Sequence, residues 1–145
     1  MILDAYAVIA YLAGEQAADE VEVLLRDRSD PPAISAANAG EVVDRLARVA
    51  HIDLGRVLDE LHRLRDGGLE ILTIDTFDGL CTGALRQRFY DRRTAQLSLA
   101  DCAALTAAVR YGQRLATADP ALAIAARAMS IDVVALPDST GRRPV

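Results

Sequence analysis

The sequence contains no lysine, and all 16 of its basic residues are arginine. This absence excludes active sites that depend on a lysine side chain. No apolar run approaches the ~20 residues that a membrane-spanning helix needs, so we expect no membrane segment. The only two cysteines, Cys81 and Cys102, fall in predicted helices and lack the spacing of metal ligands. Buried reduced thiols in a cytoplasmic protein are therefore favoured over a disulfide or a zinc site.

An excess of basic charge is also missing, since 21 acidic residues outweigh the arginines and give a net charge of −5. This charge balance argues against a protein that binds nucleic acid through a broad basic surface, but it does not exclude a contact bridged by metal ions. With 145 residues, 52% of them hydrophobic, the chain has the size and composition of one globular domain. We expect that domain over residues 1–137 and a flexible C-terminal tail over residues 138–145.

Short apolar segments alternate with amphipathic helical segments along the chain. Strands are predicted over residues 1–3, 33–35, 69–74, 115–116 and 131–136. This alternation is typical of an α/β fold with a parallel sheet and helices on both faces. Right-handed crossovers lead us to expect a small doubly wound sandwich with strand order 3-2-1-4-5. The first strand then lies centrally, with the switch point between it and the fourth.

Asp4 lies where the first apolar strand ends and a helix begins, since Val8, Ile9 and Leu12 share a helical face. Open α/β sheets bind ligands at the carboxyl ends of their strands, so Asp4 is a site candidate by position. The alternative role is a helix N-cap that accepts hydrogen bonds from the first turn. For Asp4 taken alone, the cap is the favoured interpretation.

Three further acids are predicted at the same edge of the sheet. Asp119 follows the fourth strand and would lie beside Asp4 across the switch point. Asp101 is the only acid of a small-residue apolar helix and, together with Ser98, also fits a capping box. Glu41 lies one turn into another helix, after small residues that would allow close approach. The alternatives are helix caps for the aspartates and an exposed surface position for Glu41.

The helix that carries Glu41 is predicted over residues 36–50, with Ser35 as its cap. Its inward face would include Val42. Gly40 inside this helix costs about 1 kcal/mol relative to alanine, which indicates close packing at that position.

Four converging carboxylates would repel one another and raise one another's pKa unless a cation lay among them. Mg²⁺ and Mn²⁺ prefer such a site made of oxygen ligands. A site of this kind lowers the pKa of a bound water and neutralises charge on a phosphoryl group. The chemistry that the four acids favour is therefore phosphodiester hydrolysis.

A family pattern is carried by four short motifs that occur in a fixed order. They are Leu3-Asp4, Ser35-x-x-Asn38-x-x-Glu41-Val42, Leu97-Ser98-Leu99-Ala100-Asp101 and Thr117-Ala118-Asp119. Each motif is weak singly, but in this order the set resembles the PIN-domain ribonucleases, closest to the VapC-like toxins of bacterial toxin–antitoxin pairs. The resemblance covers essentially the whole chain and implies a PIN-like three-layer α/β sandwich over residues 1–137.

The resemblance implies a Mg²⁺- or Mn²⁺-dependent endoribonuclease that acts on RNA. Such proteins are usually homodimers, held inactive by a cognate antitoxin that covers the acidic pocket. The metal-binding and catalytic acids implied in this way are Asp4, Glu41, Asp101 and Asp119. The polar neighbours that orient a water or a carboxylate would be Asn38 and Ser98, or Thr117.

Tyr6 departs from the family pattern, because many relatives have a small hydroxyl residue two positions after the first aspartate. The Tyr6 phenol could supply that hydroxyl or pack against its neighbours. Tyr6 is therefore left outside the predicted catalytic set.

An arginine cluster near the end of a predicted helix could bind the RNA backbone. It consists of Arg86, Arg88, Arg92 and Arg93. A solvated face paired with Asp91 and other acids explains the cluster equally well.

Three other folds that bind phosphate or nucleotides lack their essential residues here. A response-regulator receiver needs a lysine after the last strand and an adjacent acidic pair near the first. A haloacid-dehalogenase-like phosphatase needs a second aspartate where Tyr6 stands, and also a lysine. A Rossmann nucleotide-binding fold needs a glycine-rich first turn, which residues 4–7 do not provide. The alternative that stays open is a PIN fold that has kept its acids but serves as a protein-binding module with little turnover.

Overall fold

A computed structural model describes residues 1–144, which form five strands and seven α-helices. The strands are β1 (Ile2–Leu3), β2 (Ala33–Ser35), β3 (Glu70–Leu72), β4 (Leu115–Thr117) and β5 (Val133–Ala135). The helices are α1 (Ala5–Ala13), α2 (Ala18–Arg26), α3 (Ala36–Asp44), α4 (Leu54–Asp66), α5 (Thr76–Phe89), α6 (Leu99–Tyr111) and α7 (Pro120–Ala128). All five predicted strands are present, with ends that differ by at most two residues from the predicted ones.

The sheet is parallel throughout and has the strand order β3-β2-β1-β4-β5. Ile2 of β1 lies opposite Ala33 of β2 on one side and opposite Leu115 of β4 on the other. A strand that is paired along both edges and covered on both faces must consist of apolar residues. The predicted α/β fold, with its first strand at the centre, is confirmed.

Two layers of helices cover the sheet, because successive residues of a strand point to opposite faces. Leu3 packs into a core that includes Val8 of α1, whereas Ile2 packs into a second core that includes Leu105 of α6. Helices α1 to α4 contribute to the first core, and α5 to α7 contribute to the second. The molecule is therefore the three-layer sandwich that the sequence predicts.

Several helices begin at the carboxyl edge of the sheet, and four of them carry the predicted acids and their polar neighbours. α1, α3 and α7 directly follow β1, β2 and β4, and their N-caps are Asp4, Ser35 and Asp119. α6 leads into β4 through a turn at Gly112, so it runs antiparallel to the strands and also begins at this edge, with Ser98 as its N-cap. The carboxyl edge therefore holds the N-termini of these four helices together with their polar caps.

The helix predicted over residues 36–50 is α-helical only as far as Asp44. It continues as a π-helical turn over Arg45–Val49, in which Ala50 N donates to Arg45 O at 3.0 Å. The predicted helix is therefore present over its expected length, with a last turn that is π-helical. Because the π-helical turn is the last turn of the helix, no later helical residues reveal its changed spacing in the hydrophobic periodicity.

The two cysteines are free thiols. Cys102 of α6 is buried, as predicted, whereas Cys81 of α5 is only half buried. Among the described residues, no helix combines the length and the hydrophobicity that a bilayer crossing requires.

The predicted tail contacts the domain through several of its residues. Arg143 forms an ion pair with Glu20 of α2 at 2.5 Å, and Pro144 is buried. These contacts do not test the predicted flexibility of residues 138–145, which stays a prediction. Val145, the last residue of that tail, lies outside the described residues.

Gly40 lies on the exposed side of α3, so the close packing predicted there is wrong. A Cβ atom built on Gly40 would meet no heavy atom within 4 Å beyond its chain neighbours and the backbone of its own helix, and the residue does not adopt a positive φ. Gly14, at the C-terminal end of α1, has equally open surroundings but a φ of +68°. The two glycines thus differ in backbone conformation and not in available space.

We expect the substitution Gly40→Ala to raise the free energy of unfolding by about 0.5–1 kcal/mol, because alanine loses less backbone entropy when it folds into a helix. The matched substitution Gly14→Ala should lower that free energy by about 1 kcal/mol, because a left-handed conformation is unfavourable for alanine. Urea denaturation measures both changes. A change of the same sign at both glycines would contradict this interpretation.

Candidate active site

Asp4 is the most buried of the four predicted acids, with 3% of its surface exposed. Its Oδ1 caps α1 by accepting a hydrogen bond from Ala7 N at 2.8 Å, and its Oδ2 accepts one from Thr117 Oγ1. Thr117 is fully buried at the end of the neighbouring strand β4. Asp4 is therefore a helix cap, and it also joins the ends of the two central strands.

Burial raises the pKa of Asp4 to about 7, because the carboxylate loses its hydration. The hydrogen bonds from Thr117 and Ala7 lower the pKa but offset only part of the increase. The negative charges of Asp101 and Asp119 raise it further. The fold has therefore brought three aspartates within electrostatic reach of one another.

Asp101 and Asp119 are both held by hydrogen bonds at helix N-termini. Asp101 Oδ2 accepts from Ser98 N at 2.7 Å, while Ser98 Oγ accepts from Asp101 N at 3.0 Å, which confirms the predicted capping box of α6. Asp119 is exposed, and its Oδ1 accepts from Leu122 N in the first turn of α7 at 2.8 Å. Each of these bonds occupies one oxygen of the carboxylate.

Thr117 connects two of the acids through a single hydroxyl group. The hydroxyl donates to Asp4 and accepts a hydrogen bond from the backbone N–H of Asp119 at 3.0 Å. The turn that follows β4 is thereby fixed relative to the end of β1. Thr117 positions the Asp4 carboxylate directly and Asp119 through its backbone.

Glu41 lies half buried on α3, one turn after the helix begins. Burial raises the pKa of its carboxyl group, and the charge of Asp101 adds to the increase, while Arg45 opposes it. Asp101 thus acts electrostatically on both Glu41 and Asp4. Of the four predicted acids, Asp101 is the one whose charge raises the pKa of both Glu41 on α3 and Asp4 at the end of β1.

Asn38 is fully buried one turn before Glu41. Ser35 Oγ donates to Asn38 Oδ1 and accepts from Asn38 N at 3.1 Å, so Ser35 orients the amide. The Nδ2 group of Asn38 has no hydrogen-bond partner within residues 1–144. A buried donor without a partner costs about 1–3 kcal/mol. The Nδ2 group of Asn38 is therefore well suited to donate a hydrogen bond to an oxygen atom of a bound ligand.

The donor chemistry of this edge fits a hard divalent cation. Carboxylate oxygens are the ligands that Mg²⁺ and Mn²⁺ prefer, and a cation would offset the repulsion that contributes to the raised pKa of Asp4. However, no three acidic, histidine or cysteine side chains within residues 1–144 are already arranged to hold an ion. Hydrogen bonds at the N-termini of α1, α6 and α7 orient the aspartates instead.

The predicted RNA-binding arginines lie at the C-terminal end of α5 and in the link that follows. Arg86 donates from Nε to Leu97 O at 3.1 Å, and its guanidinium lies 4.6 Å from the ring centroid of Tyr90. Arg88 lies 4.8 Å from the ring centroid of Phe89. Tyr90 is not among the predicted site residues, although an aromatic pair between arginines is a pattern that could have identified it.

Arg92 and Arg93 are exposed, and within residues 1–144 neither forms an ion pair. The alternative pairing with Asp91 is therefore wrong for these two residues. Asp91 Oδ1 instead accepts from Arg93 N and Thr94 N, both at 2.8 Å. The aspartate shapes the link and leaves the two guanidinium groups to solvent.

Tyr6 is half buried, and its hydroxyl donates to Pro137 O at 3.1 Å. Burial, followed by the negative charge of Glu15, raises the pKa of Tyr6 to about 12. The phenol therefore stays protonated at neutral pH and anchors the segment that follows β5.

Residues 1–128 match the family model of the PIN domain. Because this match covers most of the chain, the protein belongs to the PIN-domain family, and the strand order and the acidic edge agree with that membership. Comparison with curated proteins finds no match.

Solved structures of toxin–antitoxin proteins share the fold. VapBC2 from Rickettsia felis, bound to a DNA fragment from its promoter, aligns with a TM-score of 0.63 and 15% identity over 92% of this chain and 96% of that chain. VapC20 of Mycobacterium tuberculosis, a sarcin–ricin loop cleaving toxin, aligns with a TM-score of 0.60 and 14% identity over 79% and 85%. A toxin–antitoxin complex from Klebsiella pneumoniae aligns with a TM-score of 0.59 and 22% identity over 81% and 85%.

The raised pKa of Asp4 predicts a specific pH dependence of stability. Between its ordinary value of 3.8 and about 7, Asp4 is ionised in the unfolded chain and protonated in the folded one. The folded state then holds the extra proton, so the free energy of unfolding falls as the pH rises, by at most about 1.4 kcal/mol per pH unit. The isosteric variant Asp4→Asn cannot titrate and should lack this component.

Urea denaturation in metal-free buffer between pH 4 and 7 measures the effect as the difference in unfolding free energy between wild type and Asp4→Asn. As the pH rises, the unfolding free energy of the wild type should fall relative to that of Asp4→Asn. A difference that stays constant over this range would show that Asp4 ionises normally in the folded protein.

Proposed function

We propose that the protein is a metal-dependent endoribonuclease toxin that hydrolyses RNA phosphodiester bonds and is neutralised by a cognate antitoxin. The observation that carries the proposal is the buried Asp4 carboxylate, whose pKa is raised to about 7 by burial and by the charges of Asp101 and Asp119. Strongly shifted pKa values of this kind concentrate at functional sites, and a bound cation would relieve the repulsion.

The proposed ligands of Mg²⁺ or Mn²⁺ are Asp4, Glu41, Asp101 and Asp119. When bound, the ion lowers the pKa of a water molecule and neutralises negative charge on the phosphoryl group. The donor set consists only of carboxylate oxygens, which suits these two ions better than softer metals.

Neighbouring polar residues hold the proposed ligands in place. Thr117 fixes the Asp4 carboxylate, and Ser98 fixes Asp101 through the capping box. The buried amide of Asn38, oriented by Ser35, is positioned to donate a hydrogen bond to an oxygen of the substrate or of a water. In this proposal Asn38, Ser98 and Thr117 are supporting residues, while the four acids are catalytic.

The proposed partners follow from the related structures. The Rickettsia felis and Klebsiella pneumoniae structures are described as a VapBC pair and a toxin–antitoxin complex, and VapC20 as a toxin that cleaves the sarcin–ricin loop. By analogy, we assign to this protein an RNA substrate and a cognate antitoxin. A homodimeric state, an antitoxin segment that covers the acidic edge and a cytoplasmic place of action are the sequence-based expectations, and they complete the proposal.

A second candidate function is a PIN-fold protein-binding module with little or no nuclease turnover. It is favoured by one observation, namely that no three potential ligands within residues 1–144 are already arranged to hold a metal ion. In such a module, the aspartates would act only as helix caps.

Purified wild type should cleave RNA in the presence of Mn²⁺ or Mg²⁺, and Asp101→Asn should reduce the cleavage rate at least ~100-fold, because a ligand should contribute no less than the groups that support it. The matched control is Asp53→Asn, which alters an aspartate cap on α4 that accepts from Arg56 N at 3.0 Å outside the acidic edge. Asp53→Asn should cleave like the wild type. Equal cleavage by wild type and Asp101→Asn would falsify the nuclease proposal.

Melting temperatures measured on the same preparations separate the two candidate functions. Mn²⁺ should raise the melting temperature of the wild type and should not raise that of Asp4→Asn. If Mn²⁺ leaves the melting temperature of the wild type unchanged and no RNA is cleaved, the protein-binding module is favoured.

Expression of the wild type without its antitoxin should arrest cell growth, and Asp119→Asn should relieve the arrest. Asp119 is exposed, so this substitution removes a proposed ligand with little risk to folding. Growth curves and the amount of soluble protein are measured together, with Asp53→Asn as the control that should still arrest growth. Arrest by soluble Asp119→Asn at the wild-type level would argue against a nuclease toxin.

A further inference from the structure

We propose that residues 86–96 form an element that binds unpaired RNA, in which Tyr90 stacks on a base and Arg92 and Arg93 bind the flanking phosphates. This inference rests on the proposed RNA substrate and adds to it the residues that recognise single-stranded RNA. The evidence comes from the charge of the segment, the construction of its turn and the environment of Tyr90.

Residues 86–96 are a basic segment on an acidic protein. Their four arginines and one aspartate give a local charge of +3, whereas the whole chain carries −5. Within residues 1–144, eight arginines elsewhere form ion pairs with carboxylates, but none of these four does. The positive charge of this segment is therefore not neutralised locally, and RNA phosphates are a suitable counter-charge.

The side chain of Asp91 stabilises the turn that carries Arg92 and Arg93. Its Oδ1 accepts hydrogen bonds from Arg93 N, Thr94 N and Thr94 Oγ1 at 2.8 to 2.9 Å. The backbones of Asp91 and Ala95 also pair as an antiparallel bridge. Because the backbone is already fixed, the two exposed arginines lose less conformational entropy when they bind a phosphate.

Tyr90 has 41% of its surface exposed, and Arg86 lies 4.6 Å from its ring centroid. The same Arg86 donates to Leu97 O at 3.1 Å, which ties the Arg86–Tyr90 pair to the segment that leads into α6. An exposed aromatic ring beside guanidinium groups is a surface on which an unpaired base can stack. Bases in a duplex are already stacked on one another, so this surface selects single-stranded RNA.

The element adjoins the proposed catalytic edge through the backbone. Leu97, the acceptor of the Arg86 hydrogen bond, immediately precedes Ser98, whose N–H is bound to the Asp101 carboxylate at 2.7 Å. A strand of RNA held by residues 86–96 would therefore lie next to the helix end that carries Asp101.

Fluorescence anisotropy of a labelled single-stranded RNA tests the element in EDTA, where no metal-dependent cleavage occurs. Tyr90→Ala should weaken binding about tenfold, and Tyr90→Phe should bind like the wild type. The matched control is Tyr111→Ala. Tyr111 is also exposed, and the guanidinium of Arg110 lies 5.8 Å from its ring centroid. Unlike Arg86, however, Arg110 forms an ion pair with Asp78 that neutralises its charge. Tyr111→Ala should leave binding unchanged, and an equal loss in both alanine variants would overturn the role of Tyr90.

The variant Asp91→Ala distinguishes a preformed turn from a diffuse positive surface, because the two predict opposite changes in RNA affinity. Removing a negative charge should tighten RNA binding if the segment acts only as a diffuse positive surface. If the turn is a preformed phosphate-binding element, Asp91→Ala should instead weaken binding several-fold, and Arg92→Ala and Arg93→Ala should each reduce the salt dependence of binding by about one unit of slope. Tighter binding by Asp91→Ala would overturn the proposed element.

The outcomes separate this inference from the proposed nuclease function. If the wild type binds single-stranded RNA but does not cleave it with Mn²⁺, the nuclease proposal fails and the RNA-binding element stands. If the wild type cleaves RNA while the Tyr90 and Arg92 alanine variants bind it normally, the element is overturned and the nuclease proposal stands. Binding of duplex RNA as tightly as single-stranded RNA would also contradict the proposed element. Competition by polyglutamate as strong as that by unlabelled RNA would contradict it as well, and would favour an acidic protein ligand.

Discussion

The hydrogen bond from Thr117 to Asp4 joins the ends of the two central strands, and the geometry of the whole acidic edge depends on it. Asp4 ends β1 and starts α1, while Thr117 ends β4 and fixes the backbone of Asp119, where α7 begins. Burial makes the charged form of Asp4 unfavourable, so a folded protein without function would gain stability from a neutral residue there. The carboxylate is therefore best understood through the ion that it is proposed to bind.

Helix capping and metal binding are compatible roles for the three aspartates. Each lies at a helix N-terminus, where free N–H groups and the helix dipole favour negative charge. This local stabilisation offsets part of the repulsion that convergence creates. The capping bonds of Asp101 and Asp119 each use a single carboxylate oxygen, so the caps orient the acids without consuming them.

An acidic protein that cleaves RNA must overcome the repulsion between its own charge and the phosphate backbone. In the proposed solution the two kinds of charge occupy adjacent segments, with the acids at the carboxyl edge and the arginines in the link that leads to Ser98. Arg86 and Asp91 have structural tasks in that link, since one holds the Tyr90 ring and the other holds the turn. Arg92 and Arg93 are left for the ligand.

The sequence by itself determined the features that depend on local or general rules. Alternating apolar and amphipathic segments predicted the α/β class with a parallel sheet, and the motif around Ser98 predicted its capping box, because both follow from neighbouring residues. Tertiary structure alone decided the exposure of Gly40, the contact of Tyr6 with Pro137 and the raised pKa of Asp4. Each of these properties depends on which distant segments pack against the residue, and for Asp4 also on the charges of Asp101 and Asp119, which no local sequence pattern encodes.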